Sequence, residues 1–125
     1  MIWLVIAAGG AVGAMARHGL NAAVHVRYSA VFPWGTFAVN ALGCLVIGLL
    51  AGAIAGTRPH IGEMGRAFLF VGVLGGFTTF SSFGLDTLTL AKSGALWPAA
   101  ANVVGQVVVG LSAVWLGYGL GSWRG

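Results

Sequence analysis

The sequence predicts an all-α membrane protein of four transmembrane helices, and three observations carry that prediction. First, 58% of the 125 residues are hydrophobic and only 6% are charged, where a soluble domain carries about 25% charged residues. Second, the uncharged runs are long: Met1–Ala16, Tyr28–Thr57, Ala67–Leu85 and Ser93–Trp123. A spanning helix needs roughly 20 mainly apolar residues. Third, too few polar residues remain to solvate the outside of a soluble helical bundle. The chain therefore reads as a single four-helix transmembrane domain over residues 1–125.

Helix 1 is placed at about residues 2–23. Its uncharged run is short, so it must recruit residues past Arg17. It has no basic leader region and is apolar from Met1 onward, which favours a retained helix over a signal peptide. Helix 2 is placed at 34–56, after "RYSAVFPWG", where Pro33 breaks the backbone and Trp34 suits a membrane interface. Helix 3 is placed at 63–92 with an interruption near Gly75–Thr79, and it follows "GTRPHIGEMGR", the only charge-dense stretch. Helix 4 is placed at 96–121, opened by Trp97 beside Pro98, and Trp123 next to Arg124 anchors its far end. Glycines recur every fourth residue at Gly9/Gly13, Gly48/Gly52/Gly56 and Gly117/Gly121. Such stripes bare one backbone face, and membrane helices associate through them because lipid supplies no hydrophobic drive.

Charge does not fix orientation. With four helices, Arg58, Arg66 and Arg124 share one side and Arg17, Arg27 and Lys92 the other. Three against three gives the positive-inside rule no preference. Either unseen features set the orientation, or the chain inserts both ways and pairs with an inverted copy of itself. The formal charge of +4 comes from six scattered cations, which form no nucleic-acid patch. Cys44 is the single cysteine, lies in an apolar run and reads as a small packing residue.

Catalysis finds no support. There is no nucleophile–base–acid arrangement, metal-ligand cluster or phosphate-cradling loop, and the two carboxylates, Glu63 and Asp86, are 23 residues apart. His18, His25 and His60 read as solvated residues in or near loops. Ionisable groups inside spans are functional candidates by default: Arg17 either snorkels to the interface or touches a substrate, and Asp86 either caps or pairs near a helix end or couples a proton.

What remains is a set of neutral polar side chains: Thr36 and Asn40 on helix 2, Thr78, Thr79, Ser81 and Ser82 on helix 3, and Asn102 and Gln106 on helix 4. Thr36/Asn40 and Asn102/Gln106 are each four residues apart and line one stripe. Hydroxyls can bond back to their own helix, but an unpaired amide in hydrocarbon costs several kcal/mol. The amides are therefore either interhelical glue or part of a file of uncharged donors. In "GGFTTFSSFG", Gly75–Gly76 weakens the helix and Thr78–Thr79 can satisfy the freed backbone. Freed carbonyls there are hard oxygen ligands suited to a small cation. Phe80 and Phe83 share a face, and two readings stay open for them. Core packing is the ordinary fate of such a pair; alternatively, the positive ring edges line the path of an anion.

These residues resemble the Fluc family of fluoride channels, also called CrcB. The similarity covers nearly the whole chain: "GGAVGAMAR", "WGTFAVNALGC", "GVLGGFTTFSSFGLDT" and "AVWLG". The resemblance implies an antiparallel, dual-topology homodimer with two pores, passive fluoride export across the bacterial inner membrane, and a structural Na+ at the dimer centre. It makes Phe80 and Phe83 the pore phenylalanines and Asn40 an amide donor, with Thr36 one turn before it. Ser81 and Ser82 take the adjacent hydroxyl positions, where Ser-Thr is the commoner pattern. The carbonyls of Gly75 and Thr78, from both subunits, would hold the Na+. Arg17 would form an electropositive vestibule, and Asp86 stands where Glu is usual. Helix 4 departs most: Asn102 falls where many members have Tyr, Gln106 where a pore-lining Ser is usual, and Gly110 where another hydroxyl is frequent. The rival is a small dual-topology, proton-coupled exporter, like the small multidrug resistance family. That family would want an acidic residue in helix 1, and Met1–Leu20 contains none.

Overall fold

In a bilayer no water is available to a bare peptide group, so long apolar runs must satisfy their backbone internally and become helices. The computed structural model describes residues 1–28, 31–56 and 60–123. Helix α1 spans Ile2–Arg27 and α2 spans Trp34–Ala55. The third span, Glu63–Lys92, is composite. It runs through α3 (Glu63–Arg66), a π-helical stretch (Ala67–Leu74), α4 (Gly75–Phe77) and, after a break, α5 (Phe80–Lys92). Helix α6 spans Leu96–Ser122. Four spans are long and apolar enough to cross a membrane.

Two expectations are corrected. The first helix runs a turn further than residue 23, to Arg27, and its last turn carries His25 and Arg27, which suit the negative end of a helix dipole. His18 and His25 are therefore exposed helical residues rather than loop residues. The glycine pair does not break the third span either. Gly75 keeps helical angles (φ −64°, ψ −35°), and the chain leaves the helix at Thr78 and Thr79, both extended. Upstream, the π-helical stretch bonds with a five-residue step, as in Gly75 N–H to Phe70 O. Of the charges counted for orientation, Arg58 and Arg124 lie outside the described residues.

Glycine faces sort the helices into pairs. A Cβ on Gly48 or Gly52 would strike α6 backbone at Val114 and Tyr118, and one on Gly117 or Gly121 would strike α2 backbone at Leu45 and Leu49. These two helices make the most extensive packing in the molecule. The same device joins α1 to the upper part of the third span: Gly9 and Gly13 lie against Phe68, Gly72 and Val73, and Gly76 lies against Gly10. Helix α5 then leans on α6, reached through a turn in which Gly94 takes φ +83° and Ala95 N–H bonds Leu90 O at 2.9 Å. A left-handed residue there closes a helix at little cost only when it is glycine.

The buried core is thin. Val39 and Asn102 are the largest side chains fully shielded, while Trp3, Leu111 and Trp115 point outward. That inversion suits a surface whose solvent is hydrocarbon. It also leaves a buried amide at the centre, which leads to the site.

Candidate functional site

The break in the third span frees backbone groups, and the neighbouring side chains satisfy them one by one. Thr78 N–H and Thr78 Oγ1 both donate to Leu74 O, at 3.0 and 2.9 Å. Thr79 N–H donates to Asn40 Oδ1 at 2.9 Å, and Asn40 Nδ2 donates back to Thr79 O at 3.0 Å. The Asn40 side chain thus pairs with one residue of extended backbone much as a neighbouring strand would. Thr79 then caps α5, its Oγ1 accepting from Ser82 N–H at 3.1 Å. The hydroxyl of Thr79 in turn donates to Ser82 Oγ at 3.1 Å and lies 3.2 Å from Ser81 Oγ.

The side chains of α2, α5 and α6 form a continuous chain of hydrogen bonds. Asn40 Nδ2 donates to Gln106 Oε1 at 2.8 Å, Gln106 Nε2 to Asn102 Oδ1 at 3.0 Å, and Asn102 Nδ2 to Thr87 Oγ1 at 3.0 Å. Thr87 Oγ1 ends the chain on Phe83 O at 2.8 Å. Two of these four links, Asn40–Gln106 and Asn102–Thr87, join different helices. Sequence reading picked out all three amides but missed Thr87. A helical threonine five residues past Ser82 carries no mark of its own; only the stripe Asn102/Gln106 facing α5 could have pointed to it.

Beside this chain lies a cleft of about 380 Å³, whose lining includes the polar and aromatic Asn40, Thr79, Phe80, Phe83 and Gln106. The rings of Phe80 and Phe83 tilt by 51° with centroids 5.4 Å apart. Phe80 is 83% exposed, an odd place for a core residue. Gly75 and Thr78 line the same cleft.

The structure brings together seven of the residues expected at the site, and Asn102, hydrogen-bonded to Gln106, is fully buried beside them. It does not bring in Thr36, Arg17 or the two serines. Thr36 is buried one turn away and lines a second cleft of about 290 Å³ with Asn21, His25, Tyr28 and Asp86. Asp86 does not cap a helix end: it sits mid-helix, and its Oδ2 is buried with no hydrogen-bond partner among the described residues. Arg17 is half-buried on α1 and lines neither cleft. Ser81 is exposed and Ser82 half-buried, both held at the start of α5.

Four spans around a broken helix, with uncharged donors meeting at the break, define a small multi-pass membrane protein. The family model of CrcB-like proteins (camphor resistance, CrcB) matches residues 4–118, and the chain belongs to that family. Its relatives include proteins named fluoride-specific ion channel FluC. The one from Opitutus terrae is 47% identical over 129 residues, covering 99% of this chain and 98% of the relative. Those from Chloroflexus aurantiacus and Thermus thermophilus are 48% and 45% identical, covering 98% and 95% of this chain and 96% and 94% of their own.

Proposed function

We propose that the chain is a fluoride-selective channel that lets the anion leave passively, as one channel domain working in the bacterial inner membrane. The observation that carries this reading is the cleft at the break, where two phenylalanine rings and amide and hydroxyl groups meet with no fixed cation. Fluoride is small and strongly hydrated, so a pore must replace much of its water shell. Neutral donors and positive ring edges do so at intermediate strength, which permits release as well as binding. The anion path would run past Phe80 and Phe83, with Asn40, Thr79 and Gln106 at the wall and Asn102 behind. Ser81 and Ser82 would serve beside the ring pair, Thr36 at the second cleft, and Arg17 in an electropositive vestibule.

The functional unit would be an antiparallel homodimer with two pores. The equal charge count on the two sides supports that arrangement, as does the open face at Gly75 and Phe80. A Na+ at the dimer centre fits the backbone chemistry. In an unbroken helix Thr79 N–H would bond Gly75 O and Ser82 N–H would bond Thr78 O. Both donors are instead taken, by Asn40 Oδ1 and Thr79 Oγ1. The two carbonyls lose their regular donors, and carbonyl oxygens replace the hydration shell of alkali cations. Bound there from both subunits, Na+ would supply fixed positive charge and cross-link the copies.

Liposomes loaded with fluoride and reconstituted with the chain should discharge it, read with a fluoride electrode, and release chloride far more slowly. No discharge would end this reading. Asp86 favours a second one: a half-buried carboxylate whose Oδ2 has no partner among the described residues suits a proton-coupled exporter. Discharge that requires an imposed pH gradient would select it.

A further inference from the structure

We infer that Gln106, rather than Asn40, presents the amide proton that meets the anion, and that Asn40 is a positioning residue. The inference rests on the channel reading and follows from counting protons. A primary amide has two N–H donors and one carbonyl acceptor. A backbone N–H can only donate, so the bond from Thr79 N–H fixes which end of Asn40 is oxygen. Both Asn40 N–H groups are then spent, one on Thr79 O and one on Gln106 Oε1.

That second bond fixes Gln106 in turn. Its oxygen faces Asn40, its nitrogen faces away, and one N–H goes to Asn102 Oδ1 at 3.0 Å. The other N–H has no acceptor among the described residues, and Gln106 lines the cleft with Phe80 and Phe83. Asn102 also has a proton to spare, but it is 0% exposed and cannot offer it. Of the three amides, only Gln106 has an uncommitted N–H and a place on the cleft wall. The orientation of the whole chain is inherited from a single backbone bond at the break.

Gln106 is the only glutamine in the chain, so side-chain labelling with 15N-glutamine gives one pair of amide protons. Titrating the wild-type protein in micelles with fluoride should shift one proton of that pair downfield while its geminal partner stays, and chloride should shift neither. In liposomes, Gln106→Met should lower fluoride flux at least tenfold. Gln106→Ser, which restores a donor but not the link to Asn40, should keep flux within about threefold of wild type. Two results overturn the inference: unshifted Gln106 protons in a protein that conducts fluoride, or equal losses in the Met and Ser variants, which would mark the residue as a structural link. A wild-type protein that conducts no fluoride sinks the channel reading itself.

Discussion

Asn40 shows how much one side chain carries in this molecule. It satisfies both backbone groups of Thr79 and orients Gln106. Leaving a buried donor or acceptor unpaired costs about 1–3 kcal/mol. Asn40→Leu should therefore destabilise the protein markedly and lower its thermal midpoint, whereas Asn40→Asp, which keeps an acceptor for Thr79 N–H, should lose less. An equal drop for the two would show that the Thr79 N–H bond matters little. The phenylalanines obey a different rule. Phe80 is open to the surroundings and contributes little to the core of the single chain. Replacing Phe80 and Phe83 together by Ile should abolish fluoride flux while helix content by circular dichroism stays unchanged; persistent flux would remove the ring edges from the mechanism. The amides and aromatics were legible in the sequence because hydrocarbon makes such residues conspicuous. Their wiring was not, since the hydrogen bonds from Asn40 to Gln106 and from Asn102 to Thr87 depend on how three helices rotate against one another.

Among elements, the bounds of three of the four spans were legible to within a residue because the bilayer sets their length, while the first runs a turn beyond its expected end. The interior of the third span was legible only in part. "GGFTTFSSFG" announced a break, but Gly76 marks the close approach of α1, and the threonines make the turn. The π-helical stretch was invisible, since "AFLFVGVL" is apolar throughout and shows no period by which to tell one helix from another. The glycine faces give a sharp test. Gly117→Ala places a methyl against the Leu45 carbonyl, and overpacking typically costs about 1–3 kcal/mol. Gly119 has open space around it, so Gly119→Ala should be neutral, or stabilising by up to about 1 kcal/mol from helix propensity. Thermal melts of the two variants in detergent should move apart; matching midpoints would show that α2 and α6 are not held by that seam.

At the scale of the whole molecule, the proposed pairing of inverted copies makes a prediction about the membrane. Cysteines introduced singly at the two ends should each be partly labelled by an impermeant reagent from both sides, and complete labelling from one side would exclude dual topology. A passive channel also has no use for a proton, so fluoride efflux should follow the fluoride gradient alone, with the pH of the two faces equal or not.

The pairing of Asn40 with Thr79 also has a bearing on biosynthesis. The two residues are 39 positions apart. At roughly 5–20 residues per second, the ribosome delivers the second some seconds after the first. Through that interval the second span must rest in the translocon or the lipid with its amide unmet. The fragment has to tolerate a polar group in oil until its mate is translated, and truncation before Thr79 should leave a chain that quality-control proteases clear quickly.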